Sequence, residues 1–228
     1  MLRVVTFNIF YALRSERLLK TALSAFGDLE PDIVALQEVW QSKKRRFTQA
    51  LAYALGYDHH FVPRATILGR SIGMAILTKL PLAVTEHIVL PPARSRLRPR
   101  IAHYVEVATS HGCAGLTHTH LESLATKKTR AKQLERIFES LEARPIAQPQ
   151  ILMGDFNTYS KREIHGVTET LNGNGFSVAE GLPYSWKHLG FGRNLDWIAA
   201  KNCRIHASGV LEDVSGSDHK PVWADIAF

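Results

Sequence analysis

The stretch that decides the fold runs from Ile151 to Asn157 and reads Ile151-Leu152-Met153-Gly154-Asp155-Phe156-Asn157. Its first three residues predict a short buried strand. Gly154 lets the chain turn at the end of that strand. Asp155 and Asn157 then point the same way, whereas Phe156 points into the core. The sequence therefore predicts a strand end that presents a carboxylate and an amide to a shared crevice.

Other short apolar runs end in the same manner. Residues 2 to 9 form a predicted strand that ends in Asn8, and Ile33-Val34-Ala35-Leu36 is a strand that ends at Glu38. Helical faces alternate with these strands, and each half of the chain closes in a run of strands. This pattern predicts an α/β fold in which two sheets pack face to face with helices outside. The predicted helices lie near 15–27, 47–55, 134–141 and 161–173, and the other predicted strands near 59–63, 73–78, 82–90, 101–109, 113–119, 195–200, 204–211 and 221–227.

The length and composition are those of one domain. The 228 residues contain no linker rich in Pro, Gly or Ser, so we expect residues 1–228 to form a single domain. Cys113 and Cys203 lie in apolar segments and are predicted to be buried thiols. Neither a charged-then-apolar leader nor an apolar stretch of about twenty residues is present, so we expect a cytoplasmic protein without a membrane span. We also expect a monomer.

The charge of the chain favours an anionic partner. The formal net charge is +7 and the pI is about 9.5. Two basic clusters, Lys43-Lys44-Arg45-Arg46 and Lys127-Lys128-Thr129-Arg130, are interpreted as solvated helix faces. The alternating arginines of residues 94–100 are flanked by prolines and therefore lie on a loop. We predict that this loop guides an anionic substrate and that Arg100 binds it.

The polar groups at neighbouring strand ends suit a hard divalent cation. Glu38 emerges from a fully apolar strand, and its carboxylate is the kind of ligand that Mg²⁺ prefers. The amide of Asn8 can bind the water shell of the metal or a phosphate. Asp155 can orient or deprotonate a water molecule, while Asn157 donates to a phosphoryl oxygen. Together these residues predict a site for a divalent cation and a phosphate.

Histidines supply further candidate groups. His118 and His120 share a face of one alternating strand, so periodicity alone does not choose between them. Asp196 is a charge within the apolar strand Leu195-Asp196-Trp197-Ile198 and needs a partner if it is buried. We pair it with His219, because a buried carboxylate that is hydrogen-bonded to an imidazole holds one tautomer and favours its protonated form.

Seven segments match one protein family in order. They are Thr6-Phe7-Asn8, Asp32 to Glu38, Gly73 to Thr78 with Pro81, Thr119-His120-Leu121, Gly154 to Asn157, Leu195 to Ile198, and Ser217 to Val222. In series they resemble the endonuclease/exonuclease/phosphatase superfamily, which includes DNase I-like nucleases, sphingomyelinases and inositol-polyphosphate phosphatases. The resemblance runs from residue 2 to about residue 226. It implies a four-layer α/β sandwich with one Mg²⁺- or Mn²⁺-dependent site.

The resemblance also implies roles for the matched residues. Glu38 matches the carboxylate that binds the metal, and Asn8 and Asp218 are placed beside it as further metal ligands. Asn8 is also predicted to contact substrate. His120, rather than His118, matches the histidine of the Thr-His-Leu motif.

The catalytic set implied by the resemblance combines carboxylates, an amide and imidazoles. Asp155 and Asn157 match the catalytic Asp/Asn pair, and Asp196 matches the carboxylate that orients His219. The complete predicted catalytic set is His120, Asp155, Asn157, Asp196 and His219.

The matched motifs define the substrate less well than they define the family. The Trp-Cys-Asp-Arg signature of inositol phosphatases is absent around Asp196, and the Thr-His-Leu motif at His120 disfavours the abasic-site endonucleases. Arg70-Ser71-Ile72 stands where some DNase I-like members carry an acidic partner for that histidine. The first two differences leave nucleases and sphingomyelinase-like enzymes as the nearer branches.

We predict a phosphodiesterase whose substrate is nucleic acid, slightly favoured over phospholipid head groups. Tyr184, Trp186 and Phe191 form a candidate rim for bases near Asp196, although core or lid packing is the more favoured interpretation of these residues. A phosphate monoesterase is the less favoured enzymatic alternative. A catalytically inactive module that binds anions is the alternative from a different class.

Overall fold

The computed structural model describes residues 1–12, 15–42, 46–92, 99–123, 125–143, 147–179, 181–188 and 191–228. The helices are α1 (Ser15–Leu29), α2 (Phe47–Leu55), α3 (Lys127–Glu142) and α4 (Lys161–Gly173). The strands are β1 (Leu2–Asn8), β2 (Ile33–Gln41), β3 (Asp58–Ile67), β4 (Arg70–Thr78), β5 (Leu82–Val89), β6 (Ile101–Thr109), β7 (Gly112–His120), β8 (Gln150–Asp155), β9 (Ser177–Val178), β10 (Trp186–His188), β11 (Phe191–Arg193), β12 (Asp196–Lys201), β13 (Arg204–Val210) and β14 (Val222–Ala227).

Most of the strands form two six-stranded sheets. The first sheet has the order β13-β14-β1-β2-β4-β3, and the second has the order β5-β6-β7-β8-β12-β9. Among the described strand pairs, β1–β2 and β7–β8 are parallel. Helix α1 connects β1 to β2 and helix α3 connects β7 to β8, so each second strand begins at the same end of the sheet as the first. The other pairs are antiparallel. The predicted pair of mixed, mainly antiparallel sheets is therefore confirmed.

Three apolar cores separate four layers. Along β1, Val4 belongs to the core between the two sheets, whereas Phe7 belongs to the core that the first sheet shares with Phe26 of α1. On the second sheet, Met153 faces the other sheet, and Leu152 lies in the outer core with residues of α3 and α4. Strand alternation thus buries both faces of each central strand. The layers are helices, sheet, sheet and helices, as predicted.

One edge of the sandwich collects the strand ends. The parallel strands β1, β2, β7 and β8 end there at Asn8, Gln41, His120 and Asp155. The antiparallel strand β12 begins there, because Asp196 pairs with Asp155. Strand β14 also begins at this edge, since its first residue, Val222, pairs with Thr6.

Two helices begin at the same edge because each follows one of these strands. The side chain of Thr126 caps α3 by accepting a hydrogen bond from the backbone N–H of Thr129. Ser160 and Glu163 form a capping box that starts α4. The α3 and α4 N-termini therefore lie next to the ends of β7 and β8.

Some predictions from the sequence need correction. Cys113 is exposed, because it is the second residue of β7 and lies next to the exposed hairpin turn that joins β6 to β7. Cys203 is half-buried, so the prediction of two buried thiols is wrong. The short strands β9, β10 and β11 were not predicted as separate elements. Lys43-Lys44-Arg45 and the arginines at 94, 96 and 98 lie outside the described residues. No helix in the described part of the chain is both long and apolar enough to cross a membrane.

The glycine at the end of β8 provides a test of this architecture. Gly154 has φ of 146°, and a Cβ built on it would lie 1.8 Å from the carbonyl oxygen of Thr119, its partner in the parallel register. We expect Gly154→Ala to lower the free energy of unfolding by about 3 kcal/mol or more, because it combines backbone strain with overpacking. Urea denaturation followed by circular dichroism measures this change.

Gly166 in α4 is the matched control for that substitution. No heavy atom lies within 4 Å of a Cβ built at this glycine. Gly166→Ala should therefore stabilise the protein by about 0.5–1 kcal/mol. Equal unfolding midpoints for the two alanine variants would contradict the close approach of β7 to β8.

Candidate functional site

Asp155 lies at the centre of the collected strand ends. Its side chain is 1% exposed. Oδ2 accepts a hydrogen bond from Asn8 Nδ2 at 2.9 Å, and Oδ1 accepts one from the backbone N–H of Asn157, also at 2.9 Å. Burial raises the pKa of Asp155 to about 7, partly opposed by the positive charge of His219 and by these hydrogen bonds. Asn8 comes from the first sheet, so this carboxylate joins the two sheets.

His219 and Asp196 form the pair expected from the sequence. His219 Nδ1 lies 2.8 Å from Asp196 Oδ2, and His219 Nε2 lies 3.9 Å from Asp155 Oδ2. Burial lowers the pKa of His219, but the carboxylates of Asp196, Asp155 and Asp218 outweigh burial and raise it to about 10. The imidazole is therefore a fixed positive group, and its Nε2 faces the central carboxylate.

Glu38 reaches the site from a distorted part of β2. The pairing of β2 with β4 shifts between Leu36 and Val39, and Glu38 adopts φ of 54° within that bulge. Burial raises the pKa of Glu38, against the opposing effects of His219 and Arg100. A left-handed residue of this kind costs on the order of 1–3 kcal/mol and is retained mainly at functional sites.

The two histidines of β7 occupy different environments. His120 Nε2 lies 3.9 Å from Glu38 Oε1 and 3.5 Å from Asp155 Oδ2. Burial and the nearby cations, Arg100 first, hold the pKa of His120 well below its usual value, so its ring is neutral. His118 lies deeper, between the sheets, with Nε2 at 2.6 Å from Gln37 Nε2. The structure thus brings His120 to the site and separates His118 from it.

Asn157 and Asp218 are each held by an aromatic residue. Asn157 has φ of 54°, donates from Nδ2 to the Leu121 carbonyl at 3.0 Å and accepts at Oδ1 from the Tyr159 hydroxyl at 2.7 Å. Asp218 Oδ2 accepts from the Trp186 indole N–H at 2.9 Å. Sequence reasoning missed Tyr159, although its position two residues after Asn157 places it at the same strand end.

Arg100 lies beside Glu38, in agreement with its predicted position near the site. It shares one small pocket with Tyr11, Glu38, Arg64 and His120. Arg100 Nη2 donates to Glu122 Oε1 at 3.3 Å, whereas its buried Nε has no partner among the described residues. Tyr11 comes from a short 3₁₀ helix, Phe10–Ala12, and Arg64 comes from the edge strand β3. No motif in the sequence pointed to either residue.

The residues present fit a divalent cation. Ligand atoms of Asp155, Asp196 and His219 lie within 4.8 Å of one another. Two carboxylate oxygens of the predicted metal set, Glu38 Oε2 and Asp218 Oδ1, are buried without a hydrogen-bond partner in the described part of the chain. Because unpaired buried carboxylates need positive charge, these oxygens suit a hard cation better than the positively charged His219 does. Asn8 Oδ1 already accepts from the Phe10 backbone N–H at 3.0 Å.

The fold and the site at the edge of the sheets together define a class of protein. It is the four-layer α/β sandwich with a buried site of carboxylates, amides and imidazoles. The Endonuclease/Exonuclease/phosphatase family model matches residues 5–219. The chain belongs to this family, whose members are hydrolytic phosphoesterases that depend on a divalent metal. The superfamily resemblance noted in the sequence is therefore confirmed.

Comparison with solved structures supports the fold. An endonuclease/exonuclease/phosphatase family protein from Leptotrichia buccalis is 18% identical with a TM-score of 0.80, and each chain is covered to 100%. TDP2 from D. rerio, complexed with a single-strand DNA product, is 18% identical with a TM-score of 0.79, covering 100% of this chain and 99% of that one. A mannosyl-6-phosphatase from Bacteroides thetaiotaomicron is 17% identical with a TM-score of 0.78 and full coverage of both chains. No match is found among the curated proteins.

The buried His118 provides a test of the packed interior between the two sheets. Burial, and then the nearby His103, lowers the pKa of His118 to about 3. The folded state therefore keeps this ring neutral, while the unfolded chain binds a proton below about pH 6.5, so stability falls as the pH falls from 6.5 towards 3. At pH near 5 this effect is about 2 kcal/mol.

The free energy of unfolding should fall when the pH is lowered from about 8 to about 5. We expect this fall to be about 2 kcal/mol smaller in His118→Gln than in wild type, because the variant lacks the buried imidazole. Urea denaturation at the two pH values measures the difference. The exposed His87 supplies the control, since His87→Gln should keep the wild-type pH dependence. An unchanged pH dependence in His118→Gln would show that His118 is not a buried neutral group.

Proposed function

We propose that the protein is a divalent-metal-dependent phosphodiesterase that hydrolyses nucleic acid. The observation that carries this proposal is the convergence of Glu38, Asp155 and the Asp196–His219 pair at one edge of the sandwich. Membership of a family of hydrolytic phosphoesterases supports the same conclusion. We further propose that residues 1–228 form a single catalytic domain, because the site draws on residues from Asn8 to His219. A monomeric state and a cytoplasmic location are proposed from the sequence alone.

Glu38, with Asp218 near it, is proposed to hold Mg²⁺ or Mn²⁺. The unpaired oxygens of these two carboxylates supply the hard ligands that such ions need. When bound, the ion supplies Lewis-acid stabilisation of negative charge on the phosphate. Asn8 holds Asp155 in position through its amide N–H, which is a more direct function for it than metal ligation.

Asp155 is proposed to orient the attacking water and accept its proton. A raised pKa of about 7 lets this carboxylate take up a proton at neutral pH. His219, fixed by Asp196, and the neutral ring of His120 present N–H groups to the phosphate oxygens, and Asn157 adds an amide. Arg100 has an unpaired N–H close to Glu38 and is proposed to bind a non-bridging oxygen.

The aromatic residues around the site favour nucleic acid over phospholipid. Tyr184 and Phe191 are 54% and 66% exposed, and Tyr159 is 39% exposed. Exposed aromatic rings near a phosphate site provide stacking surfaces for bases. The similarity to TDP2, which is described in complex with a single-strand DNA product, agrees with this choice. A phospholipid head-group diesterase remains the alternative diesterase.

A phosphate monoesterase is a second candidate supported by a specific observation. Arg64 and Arg100 line the pocket beside Glu38, and two guanidinium groups suit the double charge of a monoester. One structural neighbour is a mannosyl-6-phosphatase. Comparing the rates for p-nitrophenyl phosphate and bis-p-nitrophenyl phosphate separates the two candidates.

We expect Asp155→Asn to lower turnover of bis-p-nitrophenyl phosphate with Mn²⁺ by about 10²-fold or more, because the group that accepts the proton is lost. EDTA should abolish the wild-type activity. Asp58→Asn, a change of the same chemistry at an exposed residue of β3, should retain wild-type turnover. Melting temperatures show whether each variant is folded. A folded Asp155→Asn protein with wild-type turnover would refute the assignment, and a wild-type protein inert towards both esters would favour an anion-binding module.

A further inference from the structure

A groove of about 550 Å³ lies between α3 and α4. Its cationic lining includes Lys127, Lys128 and Arg162, and Leu134 and Val167 contribute apolar surface. We propose that this basic groove binds the sugar-phosphate backbone of a single-stranded nucleic acid that leads away from the scissile phosphate. The proposal rests on the proposed function and adds a second contact surface for the same substrate.

The groove opens next to the candidate active site. Helix α3 follows His120 at the end of β7, and α4 follows Asp155 at the end of β8, so both helices begin at the active edge. Thr158, the residue after Asn157, lines the groove. Arg130 fixes the connecting loop through hydrogen bonds to the carbonyl groups of residues 122, 123 and 125. A strand bound at the site would pass the Arg130–Glu163 pair, which joins the two helix starts, to reach the groove.

The positive charge of the groove is available to a ligand. Glu163 pairs with Arg130 and also accepts from backbone N–H groups at the start of α4, and Glu169 lies 3.3 Å from His165. Glu163 is thus neutralised by Arg130, whereas the exposed Glu169, whose contact with His165 is ionic only when the imidazole is protonated, leaves one negative charge against the cations Lys127, Lys128 and Arg162. Lys127, Lys128 and Arg162 are exposed, and no carboxylate within the described ranges forms an ion pair with them.

These cations lie at helix N-termini, where positive side chains lower the stability of a helix. Lys127 and Lys128 occupy the first turn of α3, which contains no acidic residue, and Arg162 occupies the first turn of α4, which also contains Glu163. The N-terminal end of a helix is positive and favours acidic side chains. The basic residues therefore add to a positive field instead of neutralising it, and an anionic strand is the ligand that complements that field.

An aromatic residue links the groove to the site and favours a single strand over a membrane surface. Tyr159 follows Thr158 of the groove, is 39% exposed and donates its hydroxyl hydrogen bond to Asn157. Single-strand binding surfaces combine a basic groove that follows the backbone with aromatic rings on which bases stack. A concave groove between two helices suits a narrow chain better than the flat array of head groups in a bilayer.

The test compares two triple variants that each remove three positive charges. The groove variant is Lys127→Gln, Lys128→Gln and Arg162→Gln. The control variant changes three exposed cations outside the groove, Lys20→Gln, Lys79→Gln and Arg204→Gln. Binding of a fluorescein-labelled single-stranded DNA of about 12 nucleotides is measured by anisotropy in EDTA over a range of salt concentrations.

We expect the groove variant to bind at least about tenfold more weakly, with the slope of log Kd against log salt reduced by about 2, since each lost phosphate contact removes about 0.7. The control variant should bind within about twofold of wild type at the same slope. Both variants should hydrolyse bis-p-nitrophenyl phosphate at the wild-type rate, because this small ester does not reach the groove.

Three results would overturn the proposal. The first is wild-type DNA affinity in the groove variant, and the second is equal weakening of DNA binding in both variants. The third is weaker binding of the groove variant to phosphatidylserine vesicles while its binding to DNA is unchanged. Failure of the proposed function has a different readout. It would be seen if the wild-type protein did not hydrolyse bis-p-nitrophenyl phosphate with Mn²⁺. That result can occur whether or not the groove binds DNA.

Discussion

The buried carboxylate of Asp155 is the constraint on which the site depends. A charge with a 1% exposed side chain is costly unless hydrogen bonds and opposite charge compensate it. Asn8 supplies one hydrogen bond from the first sheet, and the Asn157 backbone supplies another from the second. His219 adds the opposite charge from the turn before β14. Satisfying this one group therefore fixes the two sheets in a particular relative position.

The backbone around Asp155 is strained at the residues that shape the site. Glu38 and Asn157 both adopt φ of 54°, and Gly154 has φ of 146°, which L side chains rarely adopt. Apolar packing in three cores holds these residues in place. The same topology starts α3 and α4 at the active edge, so the chemistry and the basic groove both follow from where β7 and β8 end.

The sequence predicted the parts of the site that lie on regular elements. Apolar runs that end in polar residues predicted the meeting of Asn8, Glu38 and Asp155, and a charge on an apolar strand predicted the Asp196–His219 pair. Periodicity could not separate His120 from His118, because two residues of one strand face share the same pattern and differ only in depth. The sequence did not predict the position of Arg64 or the groove. Both depend on tertiary packing, that is, on what lies beside the edge strand β3 and on how α3 packs beside α4. Lys127 and Lys128 were interpreted as a solvated helix face, and their exposure agrees with that interpretation without revealing Arg162 beside them.

We propose that polar strand ends from both sheets create one cation site. The most direct measurement is the anomalous difference map of a crystal grown with MnCl₂. We expect one dominant manganese peak next to the Glu38 carboxylate, at the edge where Asp155 and His219 meet. A dominant peak elsewhere on the protein, or none at this edge when titration shows tight Mn²⁺ binding in solution, would contradict it.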